Sequence, residues 1–147
     1  MKKIILCFFV STICLVSFPA TATNDTHIFA TCLTDSLNGK ERKLLAKWIF
    51  AAMAAHPEII ELSSVSADTK NQIDQSVGIL ITRLLTLDCR EELVGALAQD
   101  PLAIENAFRV VGEVAMVELY SDKSVTSSLT NYIQYVDMKA VNSIMSN

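Results

Sequence analysis

Apolar residues recur at three- and four-residue intervals along most of the chain, and no stretch alternates with period two between turn signals. This pattern predicts an all-α fold, a compact bundle of about five to six helices. From Asn38 the chain reads Asn-Gly-Lys-Glu, a capping box in which the Asn38 side chain accepts from the Glu41 amide and Glu41 reaches back. Leu44, Leu45, Trp48, Ile49, Ala52 and Met53 follow at helical spacing, which predicts a helix over Gly39–Ala55. Pro57 stops it, because the residue before a proline is pushed out of helical geometry. Pro57–Leu62 reads as a turn or two of helix.

Ser66 caps a predicted helix over Ala67–Leu87, with the stripe Ile73, Val77, Leu80, Ile81, Leu84 and Leu85. Asp88 and Glu91 read as a second capping box, opening a short helix to Ala98. Asp100-Pro101 starts another, to Tyr120, with proline at the first helical position. Val110 and Val117 widen its apolar face and suggest burial on more than one side. Leu129, Tyr132, Ile133 and Val136 keep helical spacing, and Asp137 caps a last helix ending near Met145. Gly78 and Gly112 fall inside predicted helices, either where two helices cross closely or at tolerant positions.

The first 22 residues form a separate pattern. Lys2 and Lys3 precede an apolar run of 15 residues, Ile4–Phe18, and Ala20-Thr21-Ala22 is an A-x-A cleavage pattern. A bilayer-spanning helix needs roughly 20 residues, so the run reads as a signal peptide over residues 1–22 rather than an anchor. The remaining residues, 23–147, form one helical domain with neither repeat nor linker. His27 falls in what reads as a flexible start.

Loss of Lys2 and Lys3 leaves 10 basic against 16 acidic side chains, a net charge of −6. That balance excludes an electrostatic footprint for nucleic acid. Loss of Cys7 and Cys14 leaves Cys32 and Cys89. An even pair in an oxidising compartment reads as one structural disulfide, anchoring the N-terminal segment to a junction between helices. The sequence contains no G-x-S-x-G, H-E-x-x-H, P-loop, dinucleotide or EF-hand motif, and nothing calls for a cofactor or a metal.

Three features could carry function. Lys40, Lys43 and Lys47 share one helix face, either as a solvated surface or as a contact for an anionic partner. Trp48, with Phe50, Met53, Phe108 and Met116, belongs either to the core or to a pocket for an apolar ligand. His56, ahead of Pro57-Glu58, is either a helix-end residue or a catalytic base. Arg83, inside an apolar run, either pairs with a buried acid or snorkels to the surface.

The segments GKERKLLAKWIFAAMAAHPEI (Gly39–Ile59) and TRLLTLDC (Thr82–Cys89) resemble a group of small, uncharacterised exported proteins of Gram-negative bacteria. The resemblance implies a periplasmic location and brings no activity or binding residues. In architecture alone the chain also resembles small helical, disulfide-bearing periplasmic immunity proteins, with no shared motif. The expectation is a periplasmic or secreted helical protein that binds another protein, inhibitor- or immunity-like, with a periplasmic protein as partner. It is expected to take no nucleic acid and to have no stable membrane insertion once the leader is removed. A carrier holding an apolar ligand or lipid between helices, with Trp48 near the pocket, is the alternative, ahead of an enzyme centred on His56. The oligomeric state stays open.

Overall fold

A computed structural model describes residues 22–145 as seven α-helices joined by short 3-10 and π turns, with no strand among the described residues. The leader read over residues 1–22 lies, except for Ala22, outside the described residues. In chain order the helices are α1 (Ala22–Asp35), α2 (Gly39–Met53), α3 (Ala67–Arg83), α4 (Arg90–Gln99), α5 (Ala103–Tyr120), α6 (Lys123–Thr130) and α7 (Met138–Met145). The all-α architecture is as the apolar periodicity predicts, with a helix count slightly above the expected five to six.

The added helix is α1. Rather than a flexible start carrying His27, this segment is the centre of the core: Phe29 and Leu33 are completely buried, with Ala30 and Leu37 beside them. It packs against α4 and α5, while α2 packs against α3 and α5. Four threonines, an asparagine and two aspartates give it poor intrinsic helix propensity. Burial of Phe29 and Leu33 on one face overrides that preference.

The core is thin and rich in alanine. Of its seventeen buried apolar side chains, eight are alanines, among them Ala46, Ala96, Ala103, Ala107 and Ala115, all at 0% exposure. Such helices approach closely and leave little interior room for large side chains. Phe108 packs against the core, but Trp48, Phe50 and Met53 are all exposed on α2, at 37%, 51% and 48%. Val110 packs against the core, whereas Val117 is 65% exposed, so α5 is buried on one side only at that end.

Local signals were met unevenly. The Asn38–Glu41 box is complete: Asn38 Oδ1 accepts from the Lys40 and Glu41 amides at 2.9 and 3.1 Å, and Glu41 Oε2 accepts from the Asn38 amide at 3.0 Å. Ser66 caps α3 through the Thr69 amide at 3.1 Å. The box expected at Asp88 and Glu91 does not form. The chain leaves α3 through a π turn, Leu84–Asp88, in which the Cys89 amide bonds Leu84 O at 2.9 Å, and Cys89 caps α4 without a side-chain hydrogen bond. Asp100 Oδ1 accepts the Leu102 amide at 2.8 Å, but α5 begins at Ala103 with Leu102 at its cap position, so neither the expected Asp100 cap nor Pro101 at the first helical position is realised. An added Cβ at Gly78 or Gly112 would meet nothing within 4 Å, so neither glycine marks a close helix crossing.

Cys32 and Cys89 sit at disulfide distance, Sγ–Sγ 2.04 Å, linking α1 to the turn that opens α4. This is the junction expected from the sequence. Beside it, the Arg83 guanidinium bridges three pieces of chain: Glu41 at 2.9 Å, Ser36 O at 3.3 Å and Asp88 Oδ2 at 2.9 Å. The Arg83–Asp88 approach is close enough for an ion pair but not aligned for a hydrogen bond. Arg83 pairs with acids as one of its two readings has it, but neither Glu41 nor Asp88 is buried.

Beyond Tyr120 the character changes. Asp122 caps α6 through the Ser124 and Val125 amides at 2.8 and 3.4 Å, and Asp137 caps α7 through Lys139 and Ala140 at 3.0 and 3.1 Å. Neither helix contains a buried residue, and among the described residues α7 packs against no other helix.

Candidate functional site

The outer surface of α2 is the first candidate. Lys40, Lys43 and Lys47 are all exposed and, at spacings of three and four, lie on one face. Lys43 Nζ is 3.8 Å from Glu118 Oε1 in the last turn of α5, and Arg42 Nε is 3.4 Å from the other oxygen of the same carboxylate. These pairs hold the start of α2 against the end of α5. They leave Lys40 and Lys47 without an ion pair among the described residues. The same face continues to Phe50, three residues past Lys47, with Met53 beside it. Cations at one end and exposed apolar side chains at the other make this an amphiphilic strip.

The neighbouring charges are ordered. Burial would raise the pKa of Glu41, but hydrogen bonds from Asn38 and Arg83, together with the Arg83 charge, hold it below its ordinary value. Arg83 is raised in turn, chiefly by its hydrogen bond to Glu41. Asp122 is lowered by the Ser124 hydroxyl and amide first, then by the Val125 amide and the positive charge of Lys43.

A shallow cleft of about 230 Å³ lies between the end of α2 and the start of α3, lined by Ala51, Ala54, Ala55, Ile60, Val65 and Lys70 among others. Trp48 is not part of that lining. The cleft is smaller than the roughly 300–1,000 Å³ of small-molecule sites. His56 is exposed just past α2, and its Nδ1 accepts the Glu58 amide at 3.2 Å, a helix-end role. His27 is exposed on α1, where its carbonyl accepts the Thr31 hydroxyl at 2.9 Å. Among the described residues no three His, Cys, Asp or Glu side chains gather within metal-binding reach. No described helix is long and apolar enough to cross a membrane.

Sequence reasoning located the lysine face but not the apolar surface around it. Phe50, Met53, Ile59, Ile60 and Leu62 are 39–85% exposed at the end of α2 and in the 3-10 turn Ile60–Leu62. A second exposed set runs along α6 and α7: Leu129, Tyr132, Ile133, Met138, Val141 and Ile144. The signal for both was present in the helical spacing, which shows that a face is apolar without showing whether the fold covers it. Comparison with protein-family models, curated proteins and solved structures finds no match to this chain.

Proposed function

We propose that this chain is an exported helical protein that acts by binding another protein, in the periplasm or after secretion, rather than by catalysis. The observation that carries the reading is the α2 strip, in which Lys40, Lys43 and Lys47 run directly into exposed Phe50 and Met53. Protein interfaces combine an apolar centre with a polar, charged rim, and an uncovered apolar patch marks such a surface. The Cys32–Cys89 pair at disulfide distance supports an oxidising compartment, as does the leader-like pattern of residues 1–22.

The inhibitor- or immunity-like form of the reading is the more specific version, and an anionic surface on the partner is what the lysines would recognise. Charge reversal tests it. Lys40→Glu with Lys47→Glu is expected to weaken partner capture at least about tenfold while leaving unfolding stability within about 0.5 kcal/mol, since neither lysine makes an ion pair among the described residues. Capture unchanged by both substitutions would remove the lysine face from the account. The carrier reading rests on the cleft at the α2–α3 corner, and its small volume places it second.

A further inference from the structure

The C-terminal segment is a helical arm whose apolar face stays exposed among the described residues. In α7, Met138, Val141, Ile144 and Met145 fall within a third of a turn of one another around the axis, and each is 39–77% exposed. In the preceding segment Leu129, Tyr132 and Ile133 are 49–64% exposed. Among the described helices the arm packs against the body at its root, where α6 meets α5 and the Thr126 hydroxyl bonds Tyr120 O at 2.8 Å. An eight-residue amphipathic helix does not persist alone in water, because helix stability at that length comes from packing of its apolar face.

The second uncovered apolar surface lies at the other end of the molecule. Arg42 and Lys43, at the start of α2, pair with Glu118 at the end of α5, so the arm departs from the beginning of α2. The patch of Phe50, Met53, Ile59, Ile60 and Leu62 begins at Phe50 in the last turn of that helix, about 11 Å along it from Lys43. Neither α6 nor α7 packs against α2, α3 or the 3-10 turn. The charges around the two surfaces are opposite. Glu58 and Glu61 stand exposed within the patch, Lys123 and Lys139 on the arm, and none of the four has an ion-pair partner among the described residues. The contrast extends to the whole: residues 22–122 carry 8 basic and 15 acidic side chains, net −7, and residues 123–145 carry net +1.

We infer that the partner of the arm is a second copy of this chain, with each arm laid across the α2-end patch of the other copy in a closed two-fold dimer. This inference rests on the protein-binding reading and names a partner for the arm and for the apolar end of the α2 strip, Phe50 and Met53, leaving its lysine end to the other protein. Two surfaces at opposite ends of one chain meet reciprocally when a two-fold axis sets the copies antiparallel. The apolar side chains of one arm offer on the order of 1,000 Å² of accessible surface, so two reciprocal arms and their receiving patches clear the roughly 1,200–2,000 Å² of a stable interface. A lipid surface fits less well. Interfacial helices carry a strongly basic polar face, whereas this arm has one lysine on each of α6 and α7 and is tethered to an anionic body.

Sedimentation equilibrium of the full chain as isolated from cells, with its chain mass fixed by denaturing mass spectrometry, tests the inference. The expected result is a reversible monomer–dimer equilibrium with no larger species. Glu58→Lys with Glu61→Lys should raise the dimer dissociation constant about tenfold or more, and adding Lys123→Glu with Lys139→Glu should restore it. Val141→Asp with Ile144→Asp should leave only monomer with an unchanged thermal transition at low concentration. A monomer at all concentrations, an open-ended ladder of species, or charge reversals without effect would each overturn the dimer. So would a monomer that instead floats with phosphatidylglycerol vesicles, which would assign the arm to lipid. Lys40→Glu changes the end of α2 away from the patch, so loss of partner capture in that variant with dimerisation unchanged reports on the protein-binding reading separately.

Discussion

The five-helix body and the two-helix arm are written in the same code and end differently. In α3 and α5, apolar residues at intervals of three and four turn inward, and Val77, Leu80, Ala107, Val111 and Ala115 are buried. In α7 an equally regular stripe faces outward, with Ile144 at 77% exposure. Both regions are capped by side chains, Asn38 and Ser66 in the body, Asp122 and Asp137 in the arm. Caps and periodicity therefore settle that a helix forms. They do not settle what covers it. The body adds long-range ties that the arm lacks: the Cys32–Cys89 pair and the Arg83 bridge to Glu41, Ser36 and Asp88.

This contrast gives an ordered set of expectations. The largest concerns the helix that reads least like one: Phe29→Ala should destabilise the body by about 3–5 kcal/mol in urea unfolding, the cost of emptying a fully buried aromatic site. A loss below about 1 kcal/mol would mean that α1 is not central. Next, Cys32→Ala with Cys89→Ala opens a loop closed across a separation of 57 residues and should cost about 4 kcal/mol in the chain-entropy picture. Equal stability of the oxidised chain and this variant would show that the body does not depend on that tie.

Acid should act on the body through Glu41 and Asp100, and at the root of the arm through Asp122. All three carboxyls have pKa values lowered by folding; for Asp100 the Leu102 amide is the main cause, followed by Asn106. A lowered carboxyl contributes stability that is fully present above its unfolded pKa of about 4 and is lost as pH falls through the folded value. Urea midpoints are thus expected to stay level from pH 7 to about pH 5 and to fall below pH 4, with a shallower fall in Glu41→Gln. A midpoint that rose on acidification would reverse the sign of the argument. The smallest effect belongs to the arm. Ile144→Ser should change the unfolding free energy of the dilute chain by less than about 0.5 kcal/mol, because the side chain is already in water.

Much of the body was legible before any coordinates. The Asn38 box, the Ser66 cap, the α3 stripe and the Cys32–Cys89 junction are local or compositional signals, and each is where the sequence places it. Three readings failed for one shared reason, that a tertiary partner outbid a local preference. The threonine-rich α1 folds because Phe29 and Leu33 find the core. Asp88, well placed to cap α4, turns to Arg83 instead. Trp48, Phe50 and Met53 have core-like spacing, yet alanines such as Ala46 and Ala51 bring the helices too close to admit them. For the candidate site, the lysine face was visible because spacing alone defines it. The apolar surfaces beside it were not, since exposure depends on what the rest of the chain leaves uncovered.

Amide hydrogen exchange of the full chain, followed at two protein concentrations about a hundredfold apart, tests most directly the claim that the body sustains itself and the arm waits for a second copy. The account predicts that residues 29–33 and 103–119 stay protected at both concentrations, while 123–145 exchange rapidly when dilute and slowly when concentrated, together with 50–62 of the receiving patch. An arm protected equally at both concentrations, or one that exchanges rapidly at both, would contradict it.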